Sequence, residues 1–237
     1  MSLLSPERYV IGVAPATLSI RRLKGFAATQ AEEKQVACDP AFGPQPWQGA
    51  LEALKAEAIK STATVVLSNH FVRYAIVPWS DALANEVEEQ AYVRHHFAKI
   101  HGERAKAWTV RWSDNGAATR LAGAIDSELL AALKQALPRL ASVQPYLMAV
   151  MNRSRGAIPK GGAWLALVEE GRACVALHSG RELRSIQNLR GDWLDLLERE
   201  RHRIGESVPE LALVAGVQPD PNVEGWHFRQ LKGGLAH

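Results

Sequence analysis

The stretch from Thr64 to Phe97, TVVLSNHFVRYAIVPWSDALANEVEEQAYVRHHF, most constrains what this chain can fold into. Val65-Val66-Leu67 is a continuous apolar run, which predicts a buried strand. After the polar break Ser68-Asn69-His70, Phe71 to Val77 is rich in β-branched and aromatic residues and predicts a second strand. Pro78 and Trp79 stop it. Ser80 and Asp81 offer capping oxygens for a long charged helix that the pattern carries to about His101. Strands alternating with helices on this scale imply an α/β fold.

Length and charge narrow the classes. A chain of 237 residues has ample length for a buried core, as one large domain or two lobes. Its net charge of +3 is small and no Lys/Arg run alternates with exposed aromatics, so nothing favours nucleic acid as a partner. No stretch approaches the ~18–20 apolar residues that span a bilayer. MSLLSPERYV lacks a charged leader followed by a long apolar run, so no export signal is expected. Cys38 and Cys174 read most simply as a reduced pair, with a disulfide as the open alternative.

In chain order, Tyr9–Val13 and Thr17–Leu23 read as a hairpin, and Glu32–Cys38 as a more polar edge strand. The prolines between Asp39 and Pro46 mark a loop before the amphipathic helix Trp47–Ile59. The helix after Ser80 shows two apolar stripes, Leu83/Val87/Ala91 and Val93/Phe97/Ile100, and predicts packing on two sides; Gly102 ends it. Strands at Ala107–Trp112 and Thr119–Ile125 flank the turn signal Ser113-Asp114-Asn115-Gly116. Asp126 and Ser127 open a helix that Pro138 shortens. A brief strand at Val143 and a helix from Tyr146 to Asn152 follow. Arg153–Gly162 holds three glycines and a proline and reads as a lobe boundary. Beyond it lie a three-strand meander, a helix opened by Gly191-Asp192, and closing strands at Leu211–Val217 and Trp226–Leu231.

Several constellations invite chemistry. His95, His96 and His101 with Glu88 or Glu89 suggest a metal, but adjacent helical residues point apart, and solvated histidines explain them better. Ser68-Asn69-His70 cannot converge as a catalytic triad from one extended segment, and a turn explains it better. A two-metal nuclease needs converging carboxylates, and the first strand has none. Glu86, Glu88 and Glu89 make an acidic face that is usually just solvated, with docking of a basic peptide as the alternative. Trp79, Trp108 and Trp112 are candidate interface anchors, although core packing is the commoner fate of a tryptophan.

The line VVLSNHFVRYAIVPW before an acidic helix resembles the PilM and GspL-type proteins of type IV pilus and type II secretion systems, as does ALVEEGRACVALHSGRELRSIQNLRG after the glycine-rich linker. The resemblance implies an actin-like (ribonuclease-H-like) two-lobed α/β fold with an inserted small α/β subdomain and a shortened second lobe. Residues 1–155 would form the first lobe, with the insert at about 80–125, and residues 156–237 the second. It implies a cytoplasmic adaptor on an inner-membrane assembly platform, peripheral to the membrane through a protein partner. That partner would be the cytoplasmic tail of a single-pass membrane protein, with an assembly ATPase and a homodimer as further contacts. Arg73, Trp79, Glu88, Tyr92 and His96 are the residues expected to hold the tail. Nucleotide-binding members of this fold carry an Asp-x-Gly turn in the first hairpin; here Gly12 stands where that Asp would be, and Ala166 takes the acidic position of the second lobe. No Walker-type loop replaces them. The expectation is therefore a chain without catalytic residues, cofactor or metal, the alternative being an actin-fold ATP-binding enzyme with an atypical phosphate site.

Overall fold

The structure, a computed structural model, describes residues 7–24, 30–113, 118–179, 182–205, 208–231 and 233–236. In chain order its elements are β1 (Arg8–Val13), β2 (Thr17–Lys24), β3 (Gln30–Ala37), α1 (Gln48–Ala56), β4 (Thr62–Leu67), β5 (Val72–Pro78) and α2 (Glu86–His101). A 3₁₀ turn (Gly102–Ala107) leads to β6 (Trp108–Trp112), β7 (Thr119–Asp126), α3 (Ser127–Ala136), β8 (Leu140–Pro145) and α4 (Tyr146–Ser154). After a second short 3₁₀ turn come β9 (Ala163–Glu169), β10 (Arg172–Ser179), β11 (Glu182–Leu189), α5 (Trp193–Ile204), β12 (Leu211–Ala215) and β13 (His227–Gln230).

These elements fall into two compact units, each described by itself. One comprises the described residues of Met1–Phe71, Ser127–Ala149 and Gly233–His237; the other, those of Val72–Asp126 and Val150–Lys232. The first unit is built on a sheet of order β3-β2-β1-β4-β8. β1, β2 and β3 form an antiparallel meander, and β4 and β8 add in parallel. Ile11, Val13, Leu18, Val65 and Leu67 from the sheet, Leu51 and Leu54 from α1, and Leu129 and Leu133 from α3 are all buried. The apolar spacing of the two helices thus faces inward, as a 3.6-residue period requires.

The second unit holds two sheets. One has the order β11-β10-β9-β12-β13, again an antiparallel meander followed by parallel strands. Trp164, Val175, Leu177 and Val214 of this sheet and Leu196 and Leu197 of α5 form its core. The other is a three-stranded antiparallel sheet, β5-β7-β6. It buries Ala75, Val77, Ala122 and Ala124 with Val93 and Phe97 of α2.

The long helix differs from its sequence reading. It begins at Glu86, not after Ser80, and Asn85 caps it: its side-chain oxygen accepts from the N–H groups of Val87 and Glu88 at 3.1 Å each. Ser80 instead closes a turn, accepting from Ala82 N–H through its hydroxyl and from Leu83 N–H through its carbonyl. An amide oxygen in extended backbone is at least as good a cap as serine, and Asn85 (φ −159°, ψ 165°) has that geometry. Gly102 ends the helix at φ 63°, a left-handed position that costs glycine little. The helix packs through one stripe only. Val93 and Phe97 are fully buried, whereas Val87 is 76% and Ile100 58% exposed. α1 likewise stops at Ala56, short of Ile59, where Ala58 turns to φ 48°. Both cysteines are free. The turn residues 114–116 and 180–181, and residues 1–6, lie outside the described residues.

Candidate interaction site

β5 ends at Pro78, whose ring removes a ladder donor, and the chain turns out with Trp79 N–H bonded to Ala118 O at 2.8 Å. That bond fixes the Trp79 ring among groups from three other elements. Tyr92 of α2 meets it edge-on at 6.2 Å between centroids, and Trp112 at the end of β6 stacks at 6.3 Å with 29° between planes. The Arg120 guanidinium of β7 lies 3.6 Å from the Trp79 ring centre and pairs with Glu89 at 3.8 Å. A cation over indole is attracted by the ring's negative face. Trp79, Tyr92, Trp112 and Arg120 are all half-buried, so each keeps part of its surface open to solvent.

Of the five predicted residues, the fold brings Trp79 and Tyr92 into contact. Glu88, Tyr92 and His96 follow one another at four-residue spacing and share one stripe of α2. Glu88 is already engaged at the helix start: one carboxylate oxygen accepts from Ala84 N–H at 2.8 Å and the other from the Asn85 amide at 3.1 Å. His96 is half-buried; burial, then the charges of Lys99 and His95, pushes its pKa down and favours the neutral ring. Arg73 lies on β5, apart from that stripe, where its guanidinium donates to its neighbour's carbonyl, Val72 O, at 3.2 Å. Sequence reasoning missed Arg120. An isolated arginine in a strand carries no pattern, and only the fold shows that it covers Trp79.

The other constellations resolve locally. His101 meets Trp108 edge-on, centroids 5.0 Å apart, and stacks on Phe97. Among the described residues no group of three His, Cys, Asp or Glu side chains could hold a metal ion. Ser68 and Asn69 are fully buried, and the Ser68 hydroxyl accepts from His70 N–H at 3.1 Å, which makes the segment a turn.

In the first unit, Gly12 is buried in β1, paired with Ser19 of β2 and Val66 of β4. A Cβ there would come within 2.8 Å of Leu235 Cβ and 3.1 Å of Ala236 N. The segment around Leu235 therefore lies directly on the bare backbone of β1, beside a cavity of about 200 Å³ edged by Ser19, Arg21, Glu33 and Gln35. In the second unit Ala166 is fully buried between Val175 and Val214 in the sheet. No helix among the described residues is long and apolar enough to cross a membrane.

Two five-stranded sheets of the same order, with a small three-stranded sheet and helix joined to one of them, define an actin-like fold. No protein-family model matches the chain, and no curated protein matches it. Solved structures do. The cytoplasmic domain of EpsL, an inner-membrane component of the type II secretion system of Vibrio cholerae, is similar over 97% of this chain and 91% of its own, with a TM-score of 0.66 and 14% identity. A Bacteroides thetaiotaomicron protein with an actin-like ATPase fold covers 92% of this chain, by 84% of its own, at TM-score 0.67 and 11% identity. The PilM–PilN type IV pilus biogenesis complex covers 88% of this chain, by 81% of the matched chain, at TM-score 0.62 and 13% identity. The expected actin-like architecture is thus the one found, and the resemblance to PilM and GspL-type proteins holds at the level of fold.

Proposed function

We propose that this chain is a non-enzymatic adaptor of a type IV pilus or type II secretion platform, binding the cytoplasmic tail of a single-pass inner-membrane protein. The observation that carries this reading is the half-buried cluster of Trp79, Tyr92, Trp112 and Arg120, held by its mutual ring contacts and partly open to solvent. Preorganised aromatics of this kind anchor peptides because little side-chain entropy is lost on binding. The fold-mates point the same way: one is the cytoplasmic domain of an inner-membrane secretion component, another a pilus biogenesis complex of two proteins. Glu88 fixes the start of α2, and Tyr92 and His96 extend the surface along it. Arg73 adds a cation on β5.

The non-enzymatic part of the proposal rests on the first and second sheets. Gly12 offers no carboxylate for a metal and is covered by Leu235, and Ala166 is sealed in the core. An assembly ATPase and a second copy of the chain are further partners that this role would accommodate. The test is affinity capture of the tagged protein from detergent-solubilised membranes of its source, read by mass spectrometry. Wild type should recover a single-pass membrane protein together with pilus or secretion components. Trp79→Ala with Tyr92→Ala should lose that protein while the fold, followed by circular dichroism, stays intact. Equal recovery by both would move the site elsewhere, and recovery of no membrane protein would overturn the adaptor reading.

A further inference from the structure

Of the two apolar stripes on the long helix, the fold covers only that of Val93 and Phe97. On the opposite side Val87, Glu88, Ala91, His95, Ala98 and Lys99 are all exposed, Val87 by 76%. At 3.6 residues per turn these six fall within about 120° of the helix circumference. Their order along the axis gives the face a direction. Val87 and Glu88 stand in the first turn, Ala91 near the middle, and His95, Ala98 and Lys99 in the last two turns. Two such faces side by side in parallel would bring like charges together. Turned end for end, the same face complements itself. The Glu88 carboxylate accepts from Ala84 N–H and the Asn85 amide, and its remaining lone pairs are open to a further cation.

We propose that this face of α2 pairs with the same face of a second copy of the chain, the two helices antiparallel about a two-fold axis at the level of Val93. Such a self-complementary contact sets Glu88 of one copy between His95 and Lys99 of the other, on one flank of the helix pair. On the other flank it sets Val87 against Ala98. Ala91 and Ala98 carry nothing beyond Cβ, so the axes can approach to about 8 Å, the close end of helix packing. A second copy is favoured over a foreign helix by this symmetry. A foreign partner gives no reason for apolar residues and opposite charges to lie evenly about one level of the helix. Tyr92 and His96 lie roughly a quarter and a third of a turn round from the middle of this face, so dimer and membrane-protein tail would use different sides of α2. The contact goes beyond the adaptor reading and does not depend on it. It is also small. Two 16-residue helices, each about 24 Å long, bury less than the ~1,200 Å² of stable complexes, so the dimer should form only at micromolar protein or above.

Sedimentation velocity over a series from low to high micromolar protein tests the proposal. Wild type should pass from monomer to dimer. Lys99→Glu, which sets a like charge opposite Glu88, and Ala91→Arg, which holds the helices apart, should each raise the dissociation constant about tenfold or more. Unaltered melting of each variant separates lost contact from lost fold. Disulfide trapping, with the free Cys38 replaced by Cys38→Ser, reads the orientation. A mixture of Val87→Cys and Ala98→Cys should cross-link under mild oxidation. Val87→Cys alone should not, since its two copies would lie about 18 Å apart along antiparallel axes. These cysteine variants carry the test if the arginine variant fails to fold. A wild type that stays monomeric throughout, or a dimer that neither substitution weakens, overturns the proposal. Cross-linking of Val87→Cys to itself overturns the antiparallel pairing. A monomeric wild type that still captures its membrane protein would remove the dimer and leave the adaptor reading standing.

Discussion

The sheets β3-β2-β1-β4-β8 and β11-β10-β9-β12-β13 share a strand order but treat their central strands differently. In the second, Ala163 to Leu167 of β9 and Ala212 to Ala215 of β12 are buried on both faces. In the first, β1 begins exposed at Arg8, and the edge strand β3 presents Glu32, Glu33 and Lys34 to solvent. Each sheet also holds a small residue at the same topological place, beside the first parallel neighbour: Gly12 opposite Val66, and Ala166 opposite Val214. The alanine is small because the core closes over it. The glycine is small because another segment of chain rests on it. Strand order fixes where such a position falls, and local packing decides what it is used for.

The comparison breaks most visibly at Trp164. It is fully buried, donates from its indole to Pro209 O at 3.0 Å, and meets Trp226 edge-on at 6.2 Å. Trp164→Ala should cost about 3–5 kcal/mol in chemical denaturation. Next comes Glu200 of α5, whose buried carboxylate accepts from the Ser185 hydroxyl at 2.8 Å and from Arg203. Burial pushes this carboxyl up, but the hydrogen bonds from Arg203 and Ser185 outweigh it and hold it below the usual range. Its contribution is therefore fully present above the unfolded-state value of ~4.3 and is lost as pH falls through the folded value. Glu200→Gln should remove that acid-side loss, measured as a flatter stability curve below about pH 5, at a cost near 2 kcal/mol at neutral pH.

Gly12→Leu tests the first sheet. A side chain there must expel Leu235, costing about 1–2 kcal/mol and making the Leu235 segment newly sensitive to limited proteolysis. The smallest effect should come from Trp47→Phe. The Trp47 indole N–H is buried without a hydrogen bond, so removing it should shift stability by less than about 0.5 kcal/mol, whereas Trp164→Phe, which strands the Pro209 carbonyl, should cost about 1 kcal/mol or more.

Much of this architecture was legible before the fold was seen. Continuous apolar runs such as Val65-Val66-Leu67 and Ala163 to Val168 mark strands because nothing polar interrupts either face. Gly102, Pro138 and Asp192 mark helix ends for local reasons that tertiary structure did not override. The start of α2 was misplaced because Ser80, Asp81 and Asn85 are all competent caps, and only the turn closed at Ser80 decides among them. In the candidate site, Trp79 was visible as a large amphipathic residue at a strand end and Tyr92 as one on the helix that follows. Arg120 was not, since its partners Trp79 and Glu89 lie 41 and 31 residues away in sequence. A cation–π contact leaves no periodic trace in the sequence.

The account's central claim is that an actin-like fold serves here as a scaffold with no nucleotide chemistry. Thermal unfolding with and without Mg-ATP tests it most directly, because a ligand that binds only the folded state must raise the melting temperature. The account predicts coincident transitions at saturating Mg-ATP, for wild type as for Gly12→Leu. A rise of several degrees in the wild-type protein would contradict it and restore the enzyme reading.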